Sequence, residues 1–143
     1  MRVHRHQDEC CRDPRVLQGL ALEVVGVRAK DVLGRAGEDA AVRFLIGLGY
    51  VVLDRNWRCR LGEIDIVATD GSSLVVCEVK TRGGGAFGSP ADAVTYEKLA
   101  RLRLLAIEWV KASTGRWPRV RIDVIAVVRT GGTLSCDHRV GVG

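Results

Sequence analysis

Two stretches of the chain repeat apolar residues with the period of a helix. The first runs from Ala29 to Leu48, and its stripe consists of Val32, Ala36, Ala40, Phe44 and Leu48, with Leu45 alongside. The second runs from about Ala91 to Lys111, and its stripe consists of Val94, Leu99, Leu102, Leu105, Ala106 and Trp109. Residues three and four apart share one face of a helix, so both stretches predict amphipathic helices. Ser89 and Pro90 favour an N-cap and first helical residue for the second helix.

Segments rich in Val, Ile and Leu lie between and after these helices. They are YVVLDRNW (50–57), the hairpin GEIDIVATDGSSLVVCEVKTR (62–82) and RVRIDVIAVVR (119–129), followed by TGGTLSCD, which predicts a turn into a short terminal strand. The order is therefore helix, three strands, helix and strand. This order predicts an α/β fold in which the helices pack on a mixed central sheet.

The hairpin carries four charges on otherwise apolar strands: Glu63 and Asp65 on the first, Glu78 and Lys80 on the second. Strand side chains alternate between the two faces of a sheet. A two-residue turn at 71–72 sets a register that places Asp65 opposite Glu78 and Glu63 opposite Lys80. All four charges are thus predicted on one face, and the other face takes Ile64, Ile66 and Ala68.

Two opposed carboxylates need a compensating charge. At about 5 Å and an effective dielectric constant of about 20, Asp65 and Glu78 repel each other by roughly 3 kcal/mol. Cross-strand packing contributes only about 0.2–1 kcal/mol per pair. A divalent cation held by carboxylate oxygens is one solution, with Lys80 beside it to orient water or stabilise negative charge. The alternative is a surface ion network in which Lys80 and a neighbouring arginine neutralise the acids.

Composition adds a partner class and a compartment. The chain has 143 residues, a net charge of +5 and a pI of about 9.2, which fit one domain that meets a polyanion such as nucleic acid. Five cysteines without a C-x-x-C motif suit a reducing cytoplasm. No run of about 18 uncharged apolar residues is present, so no membrane span is predicted. Residues 1–28 lack a clean period and predict a poorly ordered extension before a domain at 29–143.

The hairpin and its flanks resemble a known family. Asp65, twelve intervening residues and then Glu78-Val79-Lys80 are similar to the D…(D/E)-x-K signature of restriction-endonuclease-like nucleases. The stretch from about Gly34 to Val128 resembles the bacterial YraN family of that superfamily. Ile64 stands where the superfamily signature has proline. The resemblance implies an αβββαβ core like that of Holliday-junction resolvases, with the catalytic face on the central hairpin.

The resemblance also implies roles for single residues. Asp65 and Glu78 would bind a Mg²⁺ or Mn²⁺ ion, and Lys80 would be the catalytic lysine. Glu38 on the first helix would join the metal site or, equally, be an ordinary surface acid. Glu63 would hold Lys80 from outside the metal shell.

Basic residues near the hairpin suit phosphate contacts. They are Arg55, Arg58 and Arg60 around Trp57, with Arg82 on the hairpin and Lys98 on the second helix. We therefore expect a metal-dependent nuclease acting on DNA, with branched or repair-intermediate DNA and a homodimer favoured by analogy with resolvases. The alternative is a nucleic-acid-binding module that keeps the fold without turnover.

Overall fold

The structure is a computed structural model that describes residues 27–83 and 94–143 of the chain. It is a mixed α/β fold. In chain order its elements are α1 (Val27–Gly47), β1 (Val51–Cys59), β2 (Gly62–Thr69), β3 (Leu74–Gly83), α2 (Tyr96–Ala112), β4 (Val120–Thr130) and β5 (Thr133–Arg139). The predicted order of helices and strands is confirmed, including the short terminal strand. Within the described residues no helix is long and apolar enough to cross a membrane.

The strands of the described ranges form one sheet in the order β1-β2-β3-β4-β5. All neighbours pair antiparallel except β3 and β4, which are parallel. A parallel pair needs a crossover connection, and α2 lies within it. Each sheet face carries one apolar cluster. One cluster includes α2 and the other includes α1, which separates the two helices onto opposite faces.

The hairpin between β2 and β3 has the predicted register. Its ladder runs from Thr69–Leu74 to Ile66–Cys77. Asp70 stabilises the turn because its carboxylate accepts hydrogen bonds from the backbone amides of Ser72 and Ser73, both at 2.8 Å. These bonds hold the pKa of Asp70 well below its usual range.

The predicted alternation along β2 fails at one point. Ile66 packs in the α1 cluster, as expected for its face, but Ile64 packs with Val67 in the α2 cluster. In the β1–β2 ladder Arg55 pairs with Ile66 and Trp57 pairs with Ile64. Between these pairs lie Asp65 and Asn56, whose φ of 51° is in the left-handed region that Asn tolerates. Ile64 therefore lies on the α2 side, and the prediction that Ile64 shares a face with Ile66 is wrong.

The buried face of α1 differs from the predicted stripe. Ala41 and Leu45 are fully buried, whereas Val32 and Leu48 are 66% and 54% exposed. Gly37 lies four residues before Ala41 and completes this face, where α1 crosses β3. A Cβ atom built on Gly37 would lie 1.8 Å from Thr81 Oγ1. At Gly37 the helix therefore approaches β3 more closely than a residue with a side chain would allow. The buried face consists of Gly37, Ala41 and Leu45, each one residue after a position of the predicted stripe.

The start of α2 also differs from its prediction. Thr95 is the N-cap, and its side chain accepts a hydrogen bond from the Lys98 backbone amide at 3.2 Å. The helix begins at Tyr96, later than the predicted start near Ala91; the predicted N-cap Ser89 and first helical residue Pro90 lie outside the described residues. The predicted core stripe is confirmed at the positions that are buried: Leu102, Leu105, Ala106 and Trp109. The predicted extension at 1–28 lies almost wholly outside the described residues.

Candidate functional site

The candidate site lies where β2 and β3 separate. The last pair of their ladder is Ile66–Cys77. One residue beyond it, the Asp65 carboxylate accepts a hydrogen bond from the Val79 backbone amide at 2.8 Å. A side chain thus takes a position between the strands that a backbone carbonyl would otherwise fill. This substitution brings Asp65 next to the second half of β3, which carries Glu78 and Lys80.

Glu78 is a buried acid with two lysines on one of its oxygens. The residue is only 6% exposed. Its Oε1 forms ion pairs with Lys98 in the first turn of α2 and, at 3.5 Å, with Lys80 two residues along β3. The lysine side chains are each about one third exposed, at 35% for Lys98 and 33% for Lys80. A buried carboxylate is therefore bound from one side by partly solvated cations.

The surroundings of Asp65 disfavour its ionised form. Burial is the main cause that raises its pKa from 3.8 to about 7, and repulsion by Glu78 adds to it. The Val79 amide acts in the opposite direction, while the charges of Glu38 and Glu63 raise the pKa further. The carboxyl groups of Asp65 and Glu78 therefore lie close enough to interact. The two lysines do not fully offset the negative charge around Asp65.

The same negative charges favour the ionised form of Lys98. Its partial burial by itself would lower its pKa. Hydrogen bonding to Glu78 and attraction by that carboxylate outweigh burial, so the pKa of Lys98 is raised. The ammonium therefore remains charged and functions as the local counter-ion of Glu78.

Glu38 and Glu63 reach the site from different elements. Glu38 follows Gly37 on α1, so the close packing of Gly37 on Thr81 sets its position near Asp65. Glu63 forms its ion pair with Arg58 of β1 at 3.2 Å. The expected Glu63–Lys80 partnership is wrong, because the strands separate before that pair and Lys80 turns to Glu78 instead.

The predicted phosphate-binding residues differ in their exposure and in their partners. Arg58, Arg60 and Arg82 are exposed, and Arg58, with 68% of its side chain exposed, also forms the ion pair with Glu63. Arg55 is exposed too, but it forms a salt bridge with Asp39 of α1. Lys98 is directed towards Glu78, a role that sequence reasoning missed because it depends on how α2 packs against β3.

The donor set suits a hard cation that keeps water in its shell. Among residues 27–83 and 94–143, no three or more His, Cys, Asp and Glu side chains are arranged to hold a metal ion. Mg²⁺ usually retains several waters and binds through only one or two carboxylates. Asp65 and Glu78 meet that requirement, and the raised pKa of Asp65 indicates that added positive charge would be favourable there. The residues therefore fit a Mg²⁺ or Mn²⁺ ion.

A second polar cluster is centred on β4, the strand that neighbours β3 on the side away from β2, and it is structural. Asp123 is fully buried and accepts hydrogen bonds from Arg121 Nε at 2.8 Å and from the Gly141 amide at 2.9 Å. Its other oxygen lies 2.8 Å from Nε2 of His138. Arg121 also binds Asp70. Asp123 thus pairs with an arginine inside the sheet, and the contacts tie β4, β5 and the hairpin turn together.

A cavity of about 480 Å³ lies away from the candidate site. It is lined mainly by α2, β4 and the last residues of the chain, among them Ala106, Val110, Ile122 and Val142. None of its lining side chains is acidic, and none of the predicted site residues contributes to it. The carboxylates and lysines of the candidate site therefore lie outside this cavity.

The fold and site together define a mixed α/β protein in which the buried Glu78, the half-buried Asp65 and two lysines lie at the fork of its central hairpin. A family model described as "Uncharacterised protein family UPF0102" matches residues 37–127. That range is more than half of the chain, so the chain belongs to this family, which is the YraN family that the sequence resembles.

Relatives cover most of the chain. A UPF0102 protein of Kineococcus radiotolerans is 56% identical over 121 residues, 83% of this chain and 99% of the relative. UPF0102 proteins of Rhodococcus opacus (52% identical; 67% and 81% of the two chains) and Frankia casuarinae (51%; 78% and 96%) are similar. These names give the family alone, so an activity has to be argued from the site.

Proposed function

We propose that the protein is a metal-dependent nuclease of the restriction-endonuclease-like type, which hydrolyses DNA phosphodiester bonds with Mg²⁺ or Mn²⁺. One observation carries the proposal: Asp65 and Glu78 lie together at the fork of β2 and β3, with Lys80 on the Glu78 carboxylate. The order αβββαβ at the start of the fold agrees with the core implied by the sequence resemblance. A basic protein with this cluster suits a polyanionic substrate.

Each residue has a distinct part in this reaction. Asp65 and Glu78 would hold the ion, with Glu38 as a further ligand from α1. The bound ion would supply Lewis-acid chemistry, lowering the pKa of water and polarising the phosphodiester. Lys80, one third exposed, donates a hydrogen bond to the attacking water or to negative charge that develops at the phosphate.

Substrate positioning falls to the exposed arginines. Arg58, Arg60 and Arg82 carry charge at the surface around the hairpin, where they contact the phosphate backbone and fix its register without reading bases. Arg55 and Arg58 bind a phosphate in exchange for their partners Asp39 and Glu63. A preference for branched or repair-intermediate DNA and a homodimeric state extend the proposal by analogy with resolvases.

Calorimetry combined with cleavage assays tests the nuclease. Mn²⁺ and Mg²⁺ are titrated into the wild type and Glu78→Ala, and labelled linear, flapped and four-way DNAs are incubated with the same proteins. We expect the variant to lose both divalent binding and cleavage. Glu108→Ala is the matched control, since Glu108 is a half-exposed acid of α2 paired with Lys111. A wild type that binds no divalent ion refutes the proposal.

A second candidate function is a nucleic-acid-binding module without turnover. It is favoured by the two lysines that already balance Glu78. This candidate predicts DNA binding that persists in EDTA and in Asp65→Ala, with no cleavage of any of the DNAs. Sizing by light scattering, with and without DNA, tests the homodimer in the same experiments.

A further inference from the structure

The Glu78 carboxylate already has a cation, and that cation comes from another element. Lys80 lies on the same strand as Glu78, but Lys98 reaches the same Oε1 from the first turn of α2. The Lys98 contact is the closer of the two. The strongest partner of the candidate metal ligand is thus a movable side chain of the protein itself.

We propose that Lys98 is an internal counter-cation that competes with the divalent metal ion for Glu78, so that a DNA phosphate binding Lys98 promotes metal binding. The inference rests on the proposed function and concerns regulation of that site. It assigns Lys98 and Lys80 to different tasks, although both contact one oxygen.

Competition follows from charge and from the mobility of the lysine. A divalent ion on Glu78 repels an ammonium held at the same oxygen. Lys98 can leave, because its side chain is 35% exposed and has a flexible four-carbon stem. A hydrogen bond between charged groups has to be broken for this, and such bonds are strong enough to weaken metal binding by about tenfold.

Competition at Glu78 couples the two ligands. A phosphate that binds Lys98 removes it from Glu78, which leaves the carboxylate without its nearest cation inside a buried site. Metal binding then no longer has to displace the lysine. By linkage the effect is reciprocal, so DNA strengthens metal binding by the same factor by which metal strengthens DNA binding. The site would therefore assemble fully only when the substrate is present.

The first test measures Mn²⁺ affinity by calorimetry in the absence of DNA. We expect Lys98→Met to bind Mn²⁺ about tenfold more tightly than the wild type, and Lys98→Arg to resemble the wild type because it keeps the charge. Arg101→Met is the matched control: it removes a positive charge one helical turn further along α2 and is expected to change the affinity by about twofold at most. Circular dichroism establishes that each variant is folded.

The second test measures the coupling itself. Mn²⁺ titrations are repeated with a short DNA duplex carrying phosphorothioate linkages, which keep the phosphate charge but resist hydrolysis. We expect the duplex to tighten Mn²⁺ binding in the wild type and in Arg101→Met, and to have little effect in Lys98→Met. A wild type that binds Mn²⁺, with Lys98→Met binding no more tightly, overturns the inference and leaves the nuclease proposal intact. If no variant binds Mn²⁺, both fall.

Discussion

Replacing Asp65 by Asn removes a half-buried carboxylate that Glu78 repels, while the amide oxygen still accepts the Val79 hydrogen bond. In the metal-free protein the pKa of Asp65 is raised from 3.8 to about 7, first by burial and then by Glu78. Native protein therefore keeps the Asp65 proton at a pH where the unfolded chain has lost it. Because the unfolded chain binds fewer protons between about pH 4 and pH 7, wild-type stability falls as the pH rises through that window.

The magnitude follows from the width of the window. About three pH units at about 1.4 kcal/mol each give a ceiling of about 4 kcal/mol. Asp65 and Glu78 repel each other only when both are ionised, so the repulsive part of this free energy disappears when either carboxyl group is neutral. We therefore expect Asp65→Asn to be more stable than the wild type by about 2 kcal/mol at pH 8 and nearly equal to it at about pH 4.

Urea unfolding across this pH range in the presence of EDTA measures the effect. The difference in unfolding free energy between variant and wild type should grow steadily from pH 4 to pH 8. Asp39→Asn, which removes an exposed acid of α1, controls for the loss of one negative charge. A difference that stays constant across the range would show that Asp65 does not experience the burial and repulsion described above. Added Mn²⁺ should stabilise the wild type but not Asp65→Asn.

Three further outcomes follow from the packing around the site. Gly37→Ala places a Cβ atom 1.8 Å from Thr81 Oγ1 and should lower the free energy of unfolding in urea by about 1–3 kcal/mol. Gly34→Ala, with nothing within 4 Å of the new Cβ atom, should raise it by about 0.5–1 kcal/mol. Equal effects would contradict the close approach of α1 to β3. Gly37→Ala should also weaken Mn²⁺ binding in calorimetry, because it displaces Glu38. Asp123→Ala leaves Arg121 and the buried His138 side chain without their shared partner, so the free energy of unfolding, measured with heat or urea, should fall by about 3–5 kcal/mol. Asp137→Ala, at an exposed ion pair, should lower it by at most about 1 kcal/mol.

Local patterns in the chain predicted much of the hairpin. Turn chemistry at Asp70 and Gly71 and the period of the strands were enough to obtain its register, because both act between residues close in sequence. The same reasoning placed Asp65, Glu78 and Lys80 on one hairpin, and the family resemblance added the role expected of Lys80. The order of elements followed from alternating helical and strand periods in the same way.

Features that depend on contacts between distant elements did not follow from these patterns. Ile64 and Ile66 lie on opposite sides of the sheet, and alternation within one strand does not predict this change. The buried face of α1 is decided by the approach of Gly37 to Thr81, which is a property of the helix and the strand together.

The electrostatics of the site show the same division. Sequence alone determined that two acids and a lysine come together on one hairpin, because a strand and a tight turn hold them at fixed spacing. Tertiary structure alone decided that Glu78 is buried, that Lys98 of α2 binds it and that Glu63 turns to Arg58. Burial and ion pairing depend on which surfaces meet, and that is determined only when the helices pack on the completed sheet.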